Sequence, residues 1–448
     1  MSGIPKQVES LSATFSIQFA ASVWSRFVGL LMAAILVQGR KTVWRFIPFT
    51  GNNALGHFSS FHRVFSHRRW SSRALAKCLA TTIVEHFAPA GVLELVGDDT
   101  VSQHRGEHVY GKGCHRDAVR SSHTHLADRW GHKWVVLSLR VRVPGTSRTW
   151  ALPLLVALSC VPEVSEKVRR RHKTPAEFMQ GLLATWLTWF PQRKCTFSGD
   201  AAFATHRLSQ FAATHKQLTL VSKFVPTAVL HEPPPPRQPG QNGRPRIKGE
   251  RLPSPQEVVA SHPKRRRLKV AWYGGGTRLV EIITGTGHWY RQGQGLVEVR
   301  WVYVHDLSGH HRDESLYSTD PNMGGKRLIE SFVGRWDIEV TFEEMREHLG
   351  LETTRGRCEK TILRVEPCLF LLYTIVTYWY AHLPQRQQKI IHINWPGKQH
   401  ITFSDAILSV RRNTWSHSLF PHPRKNNPVG KLTSQIKNQI LNAITLAG

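Results

Sequence analysis

The order of the apolar segments between residues 92 and 224 constrains the fold more than any other feature of this chain. Five short segments are rich in β-branched or aliphatic residues, which favours strands, and two longer segments have helical spacing. The first helical segment has a clear start, because Thr174, Pro175 and Glu177 match a capping residue, a first-turn proline and a capping-box glutamate. In the order strand, strand, strand, helix, strand, helix, strand, the segments lie at 92–96, 133–143, 149–158, 174–190, 194–198, 202–214 and 218–224.

This βββαβαβ order is that of the ribonuclease H-like fold, an α/β core built on a mixed sheet. Helical spacing over residues 10–90 predicts a helical N-terminal region before that core. A proline-rich break at 231–240 and the strand-like runs that follow it predict a β-rich insertion. Helical spacing returns at 325–349, ends at Gly350, a residue suited to a helix C-cap, and resumes in the C-terminal region.

The composition indicates a polyanionic partner. Sixty Lys and Arg against 31 Asp and Glu leave a formal net charge of +29, and the excess runs along the whole chain. Nucleic acid, ribosome or an anionic membrane surface would each satisfy that charge. The six cysteines form no Cys-x-x-Cys pair, which argues against a zinc ribbon or a secreted disulfide framework and favours a reducing cytoplasm. The apolar run at 28–37 is too short to span a bilayer, so we expect no membrane partner.

Acidic residues follow two of the predicted strands. Asp98 and Asp99 come after the first strand, and Asp200 follows the fourth. In a ribonuclease H-like order these two strands are neighbours, so their carboxylates should meet at one edge of the sheet. Mg²⁺ or Mn²⁺ would supply the positive charge that such close carboxylates require, and either ion also binds phosphate oxygens. A single Asp after a strand more often begins a turn, so the prediction depends on the pair.

A third acidic residue, Glu339, belongs to a predicted helix. At helical spacing Arg335, Glu339 and Arg346 share one face beside an apolar stripe that anchors the helix. Taken alone, the spacing is also that of an ordinary amphipathic helix with an Arg–Glu pair.

Together these motifs resemble the DDE transposases of bacterial insertion sequences, in the branch whose signature is Tyr, two residues, Arg, three residues, Glu, six residues, Lys. This chain keeps that spacing with Phe332, Arg335, Glu339 and Arg346, so Phe replaces Tyr and Arg replaces Lys. The segments at 98–100 (Asp-Asp-Thr) and 198–203 (Ser-Gly-Asp-Ala-Ala-Phe) resemble the two aspartate motifs. The resemblance covers about residues 90–350 and includes a β-rich insertion between the second Asp and the Glu.

The resemblance implies a transposase that cuts DNA at transposon ends and transfers the cut strands to target DNA. Asp98, Asp200 and Glu339 would hold two Mg²⁺ or Mn²⁺ ions about 4 Å apart. Asp99 is the alternative first ligand.

The resemblance also implies auxiliary residues and partners. Arg335 and Arg346 would hold phosphates near the site, and Trp336 would pack beside the helix or stack on a displaced base. The DNA partners would be the double-stranded terminal inverted repeats and the target, bound by a homodimer in a synaptic complex.

These expectations divide the chain into five parts. They are a helical N-terminal DNA-binding domain (1–90), the first part of the catalytic core (91–225), the β-rich insertion (226–318), the second part of the core with the glutamate helix (319–385) and a helical C-terminal region (386–448).

Two basic segments of the insertion are further candidates for DNA contact. The first resembles arms that enter a narrow minor groove, and the second is a run suited to phosphates, although a solvated basic loop also explains either one. They consist of Arg244, Arg246 and Lys248, and of Lys264, Arg265, Arg266 and Arg267.

Three alternatives stand beside the transposase. One is another ribonuclease H-like nuclease, and the second is a transposase-derived protein that binds DNA without cutting it. The third is a zinc site in the His-rich segment 104–125 with Cys114, but that segment lacks regular ligand spacing, so a basic DNA-facing loop is favoured.

Overall fold

The computed structural model describes residues 4–50, 56–116, 127–238, 240, 242–262, 264–389, 398, 400–420 and 432–446. His123 and His125 of the zinc alternative lie outside the described residues, as do parts of the segment 386–448.

The N-terminal region is helical, as predicted. Its helices are α1 (Lys6–Ser16), α2 (Ala21–Leu36), α3 (Val43–Phe46), α4 (Ser59–Ser66) and α5 (Ser72–Phe87). Helix α5 begins where the Ser71 side chain accepts a hydrogen bond from the Ala74 amide at 3.3 Å, which satisfies one of the free amides of the first turn. Apolar side chains of α1, α2, α4 and α5 belong to the main hydrophobic core.

In the described part of the chain, twelve strands form one mixed sheet. They are β1 (Leu93–Gln103), β2 (Gly113–Arg116), β3 (Asp128–Arg142), β4 (Thr149–Ser159), β5 (Cys195–Gly199), β6 (Leu218–Lys223), β7 (Leu230–His231), β8 (Arg251–Leu252), β9 (Arg266–Ala271), β10 (Thr277–Arg291), β11 (Gly295–Asp306) and β12 (Glu314–Ser318). Their order is β2-β3-β1-β5-β6-β12-β11-β10-β7-β8, with β4 paired to β3 and β9 paired to β10. The predicted α/β fold on a mixed sheet is therefore confirmed.

The middle of the sheet combines both strand directions. Strands β4, β3 and β1 are antiparallel neighbours, whereas β1, β5 and β6 are parallel neighbours. The order of elements along the chain differs from the predicted one by two short additions. They are strand β2, which pairs antiparallel with β3, and a helix at Pro162–Lys167 that follows β4.

The first strand is longer than the prediction, which ended it at residue 96 and placed Asp98 and Asp99 after it. That boundary is wrong, because antiparallel pairing with β3 continues as far as Gln103 opposite Gly131. The parallel pairing with β5 stops earlier, at Gly97 opposite Gly199. Asp98 and Asp99 therefore lie inside β1, just past the point where its parallel neighbour ends.

The helices of the central region pack beside these strands. They are α6 (Pro162–Lys167), α7 (Pro175–Trp189) and α8 (His206–Thr214). The predicted capping box at the start of α7 is confirmed, since Thr174 and Glu177 each accept a hydrogen bond from the backbone amide of the other, at 3.3 and 2.9 Å respectively.

The segment predicted as a β-rich insertion contains strands β7 to β12 and helix α9 (Pro255–Ser261). Its strands extend the central sheet, because β12 pairs antiparallel with β6, with Ser318 opposite Val221. The prediction that this segment is a domain of its own stays a prediction.

The single helix predicted over 325–349 is wrong in one respect, because the structure has two helices there, α10 (Gly325–Gly334) and α11 (Asp337–Leu349). Around their junction, amides bond to the carbonyl three residues earlier at 3.0–3.1 Å, which is a tighter 3₁₀ pattern. The amides concerned are those of Arg335, Trp336, Ile338 and Glu339. Helix α11 ends at Gly350, whose φ of 59° is left-handed, and this confirms the predicted C-cap.

The C-terminal region is helical where it is described. Its helices are α12 (Glu359–His382), α13 (Gln385–Lys389), α14 (Phe403–Leu419) and α15 (Ser434–Leu446). Helix α12 is long and apolar enough to cross a membrane, but 72% of its apolar window is buried inside the protein. This is weak support for a membrane span, because a buried core helix has the same length and composition.

Candidate active site

The parallel pairing of β1 with β5 places Asp98 beside Asp200. The last pair in register is Gly97 opposite Gly199, and the two aspartates are the next residue on each chain segment. Because adjacent strands lie roughly 4.8 Å apart, the two residues occupy neighbouring positions at this end of β5. Asp200 leaves the sheet in a short turn, where its carboxylate accepts a hydrogen bond from the Ala202 amide at 3.0 Å.

Arg335 joins Asp98 to Glu339. Its Nη1 donates to Oδ2 of Asp98 at 2.8 Å, and its Nη2 lies 2.6 Å from Oε1 of Glu339. The guanidinium is buried, with only 9% of the side chain exposed. It lies at the tight junction of α10 and α11, so the same turn that orients Arg335 also presents Glu339 to β1.

The electrostatics of this cluster favour a bound cation. Burial raises the pKa of Asp98 to about 7, and Arg335 opposes that shift while the carboxylates of Asp200 and Glu339 add to it. Burial also acts to lower the pKa of Arg335, but the surrounding carboxylates outweigh this effect and raise it, so the guanidinium stays charged. Three carboxylates beside one guanidinium leave an excess of negative charge when all are ionised.

The donor set suits a hard divalent ion. Each of the three carboxylates comes from a different element, and the cluster contains oxygen ligands without histidine or cysteine. Mg²⁺ and Mn²⁺ prefer such ligands, so the side-chain chemistry of Asp98, Asp200 and Glu339 is of the kind that either ion binds.

Asp99 lies on the opposite face of β1 from Asp98, because successive side chains of a strand alternate. Its Oδ1 is 3.2 Å from Nζ of Lys133 on β3. Burial raises the pKa of Asp99, and Lys133 opposes the shift. Asp200 acts electrostatically on both aspartates, whereas Arg335 and Glu339 act on Asp98. The geometry therefore favours Asp98 over Asp99 as the partner of the glutamate.

Arg346 reaches β1 two residues beyond Asp98. Its Nη2 donates to the Thr100 hydroxyl, and its Nε donates to Glu352 at 3.1 Å. Glu352 also accepts from Arg129 at 2.7 Å. Arg346 thus contacts the Asp-x-Thr segment, while its predicted contact with phosphate stays a prediction.

Trp336 lines a cavity of about 370 Å³ whose lining includes Arg140 and Asp337 but none of Asp98, Asp200 and Glu339, and 43% of its surface is exposed. Its ring meets that of Tyr273 edge to face, with 5.6 Å between the ring centroids. Arg148 and Trp272 also line this cavity. Trp336 therefore packs against Tyr273, and its stacking on a displaced base stays a prediction.

Some residues of the two basic segments already contact other side chains of the protein. Lys248 lies over the ring of Tyr290, 4.3 Å from its centroid. At the start of β9, Arg265 and Arg267 both approach Glu281, at 3.9 and 2.9 Å. The remaining members of the two segments are exposed: Arg244, Arg246, Lys264 and Arg266.

Sequence reasoning missed a second ionic cluster that holds the start of α11. Arg140 on β3 donates to Asp337 at 2.7 Å and to Glu94 at 2.9 Å. Gly334 makes this approach possible, because a Cβ there would lie 2.6 Å from the guanidinium carbon of Arg140. Lys133, the partner of Asp99, was missed as well. The pairing register of β1 with β3 would have pointed to Lys133, but Asp99 and Lys133 are 34 positions apart in the sequence.

Comparison with known proteins identifies the family. A search of the curated proteins gave no match. A family model described as DDE superfamily endonuclease matches residues 17–279, which is more than half of the chain and includes Asp98 and Asp200 but ends before Glu339. The chain belongs to the DDE superfamily of endonucleases.

Proposed function

We propose that this protein is a transposase that cleaves DNA at transposon ends and transfers the cut strands to target DNA. Family membership supports the coarser part of this statement, an enzyme that cleaves DNA with divalent metal ions. The observation that carries the finer part is the buried guanidinium of Arg335, which bridges Asp98 and Glu339 beside Asp200. We assign these three carboxylates as the metal ligands.

The contacts of the other signature positions support the Tyr-Arg-Glu-Lys branch. Phe332 is buried in an apolar cluster, with its ring centroid 5.8 Å from the guanidinium carbon of Arg335. A ring without a hydroxyl suits that environment, which accounts for Phe in place of Tyr. Arg346 contacts Thr100, so the basic position after the glutamate also lies against β1. In the same proposal, the strands β4-β3-β1-β5-β6 form a ribonuclease H-like core.

When bound, two Mg²⁺ or Mn²⁺ ions would activate the attacking oxygen and stabilise the leaving oxygen of an in-line displacement at phosphorus. The protein contributes rigid placement of the ligands. Asp98 is fixed in a strand with pairing on one side up to Gln103, and Glu339 is fixed on a helix whose start is held by the Arg140–Asp337 ion pair. In this proposal, the same three carboxylates act in two successive displacements at phosphorus. Water attacks first at the transposon end, and the freed 3′-hydroxyl then attacks the target strand.

The substrate in this proposal is double-stranded DNA, bound by a homodimer that pairs two transposon ends. A chain with a net charge of +29 provides the long-range attraction for such a polyanion.

A joining assay separates a transposase from a simple nuclease. A duplex that carries the terminal repeat flanking the coding sequence, with its 3′-hydroxyl already exposed, would be incubated with supercoiled plasmid, Mg²⁺ and the protein. We expect covalent joining of the duplex to the plasmid, and no joining when the duplex ends in a 3′-dideoxynucleotide.

Other results of this assay would identify the alternatives. Nicking of the plasmid without joining would make the protein another nuclease of this superfamily. Binding of the duplex without nicking or joining would make it a DNA-binding derivative.

A further inference from the structure

A second group of metal-binding side chains lies in the interior, apart from the acidic cluster. It consists of His104, which follows β1, His132 in β3 and Glu366 in α12. All three are buried, and one ligand atom of each lies within 4.8 Å of the other two.

The hydrogen bonding of His132 turns a lone pair toward Glu366. Nε2 of His132 lies 2.8 Å from the carbonyl oxygen of Tyr110, which only accepts hydrogen bonds, so Nε2 carries the proton. In a neutral ring Nδ1 then has a lone pair, and it faces Oε1 of Glu366 at 3.4 Å. Two electron-rich atoms that face each other in a buried site require a proton or a metal ion between them.

The surroundings of Glu366 are those of a metal ligand. The indole of Trp134 donates to Oε2, and the Thr354 hydroxyl donates to Oε1 at 3.2 Å. Ligating carboxylates commonly accept such bonds, and ligating histidines commonly donate their second N–H to a backbone carbonyl, as His132 does.

We propose that His104, His132 and Glu366 bind one Zn²⁺ ion that stabilises the fold. Two imidazole nitrogens and one carboxylate oxygen suit Zn²⁺ better than Mg²⁺. With bonds of 2.0–2.1 Å, tetrahedral ligand atoms lie roughly 3.3 Å apart, close to the 3.4 Å between His132 and Glu366. The 2.5 Å between His104 and Glu366 would open by less than about 1 Å.

A cavity of about 330 Å³ lies on one side of the group. His104 and Thr354 line it, whereas His132 and Glu366 do not, so a water molecule that completes the zinc coordination would approach from the side of His104. Arg105, Arg355 and Arg357 line the same cavity, and their positive charge opposes a cation there, so binding would depend on direct coordination by the three protein ligands.

This zinc site is separate from the catalytic one. His104 is six residues beyond Asp98, which at about 3.3 Å per residue of strand is a distance of roughly 20 Å. The ion would join β1, β3 and α12 to the loop around Thr354. That loop follows α11 and contains Glu352, the partner of Arg346, so zinc would fix the far end of the glutamate helix.

The test is the metal content and thermal stability of the full chain, purified without a histidine tag. We expect about one zinc per chain, and a fall in Tm of more than about 3 °C when a strong chelator removes it. His132→Ala and Glu366→Gln should lose the zinc. His108→Ala, which alters an exposed histidine of the same segment, and Asp98→Ala should both keep it.

A spectroscopic measurement on the wild type keeps the proposal testable if the variants fail to fold. Co²⁺ substituted into the chelated protein should give the intense visible absorption of a tetrahedral site. Zinc that persists in His132→Ala would overturn the proposal. So would a folded wild type that contains no zinc and gains no stability from Zn²⁺ or Co²⁺, since a proton would then occupy the position between His132 and Glu366.

Discussion

The buried guanidinium of Arg335 controls the charge balance of the catalytic cluster. Helical spacing predicts its ion pair with Glu339, and the structure contains that pair. The contact with Asp98 was beyond prediction, because it depends on how α11 packs against a strand more than 200 residues earlier in the chain. Residue spacing predicts contacts between side chains of the same helix. Contacts between different elements depend on how those elements pack.

Arg335→Met tests whether this guanidinium compensates the metal ligands. Without Mg²⁺ we expect the free energy of unfolding to fall by about 3 kcal/mol, because Asp98 and Glu339 lose their cation. Added Mg²⁺ should restore much of the stability, since it supplies the missing positive charge. Urea denaturation in chelator and in Mg²⁺ measures both effects. Arg129→Met, which breaks the pair with Glu352, is the control and should respond to Mg²⁺ as the wild type does.

Because the pKa of Asp98 is raised, the difference in the free energy of unfolding between the wild type and Asp98→Asn should depend on pH. In the folded, metal-free protein the pKa is about 7 against an ordinary 3.8, so the native state takes up a proton between these values. The contribution of Asp98 to stability therefore falls as pH rises from about 4 to 7, by at most about 1.4 kcal/mol per pH unit. Urea denaturation should show that the free energy of unfolding of Asp98→Asn, relative to that of the wild type, is higher at pH 8 than at pH 5. A difference that is the same at both pH values would contradict the shift.

At the scale of elements, local signals defined where helices begin and end better than where strands end. The capping box of Thr174 and the C-cap at Gly350 depend on a few adjacent residues, and both predictions are confirmed. The end of β1 depends on its partner β3, and the helix junction at Arg335 depends on the Arg140 cluster, so neither could be predicted from local spacing.

Gly334→Ala tests that cluster as the support of α11. The new methyl group should displace Arg140 from Asp337 and Glu94 and lower the free energy of unfolding by about 2 kcal/mol. In an Arg140→Ala background the same substitution should cost nothing, because alanine favours a helix over glycine by up to about 1 kcal/mol. A double-mutant cycle by urea denaturation measures the coupling. An equal cost in both backgrounds would contradict the account.

At the scale of the whole molecule, one sheet carries both the catalytic cluster and the segment at 226–318. Strand-like runs predicted that segment to be β-rich, but its pairing with β6 through β12 is a long-range contact that a local pattern does not encode. The positive charge is likewise a property of the whole chain. The structure shows which of the Lys and Arg side chains form ion pairs with acidic residues.

DNA binding should distinguish Lys264 and Arg266 from Arg267, which is also exposed but is paired with Glu281. Lys264→Ala and Arg266→Ala should weaken binding to a terminal-repeat duplex and reduce the slope of log K against log salt by about one for each phosphate that the variant no longer neutralises. Arg267→Ala is the matched control with a smaller effect, because Glu281 already holds its guanidinium at 2.9 Å. Fluorescence anisotropy at several salt concentrations measures the slopes. An effect of Arg267→Ala as large as that of Arg266→Ala would contradict this distinction.

We propose Asp98, Asp200 and Glu339 as the ligands of one metal site that cuts DNA. The most direct test of this proposal is cleavage of terminal-repeat DNA in Mg²⁺ or Mn²⁺ by the wild type and by the alanine variant of each residue. Glu343→Ala, an exposed glutamate of the same helix, is the control. We expect each of the three variants to lose cleavage while still binding DNA, and the control to remain active. Cleavage that survives Glu339→Ala would contradict the account and move the third ligand to another acidic residue of α11.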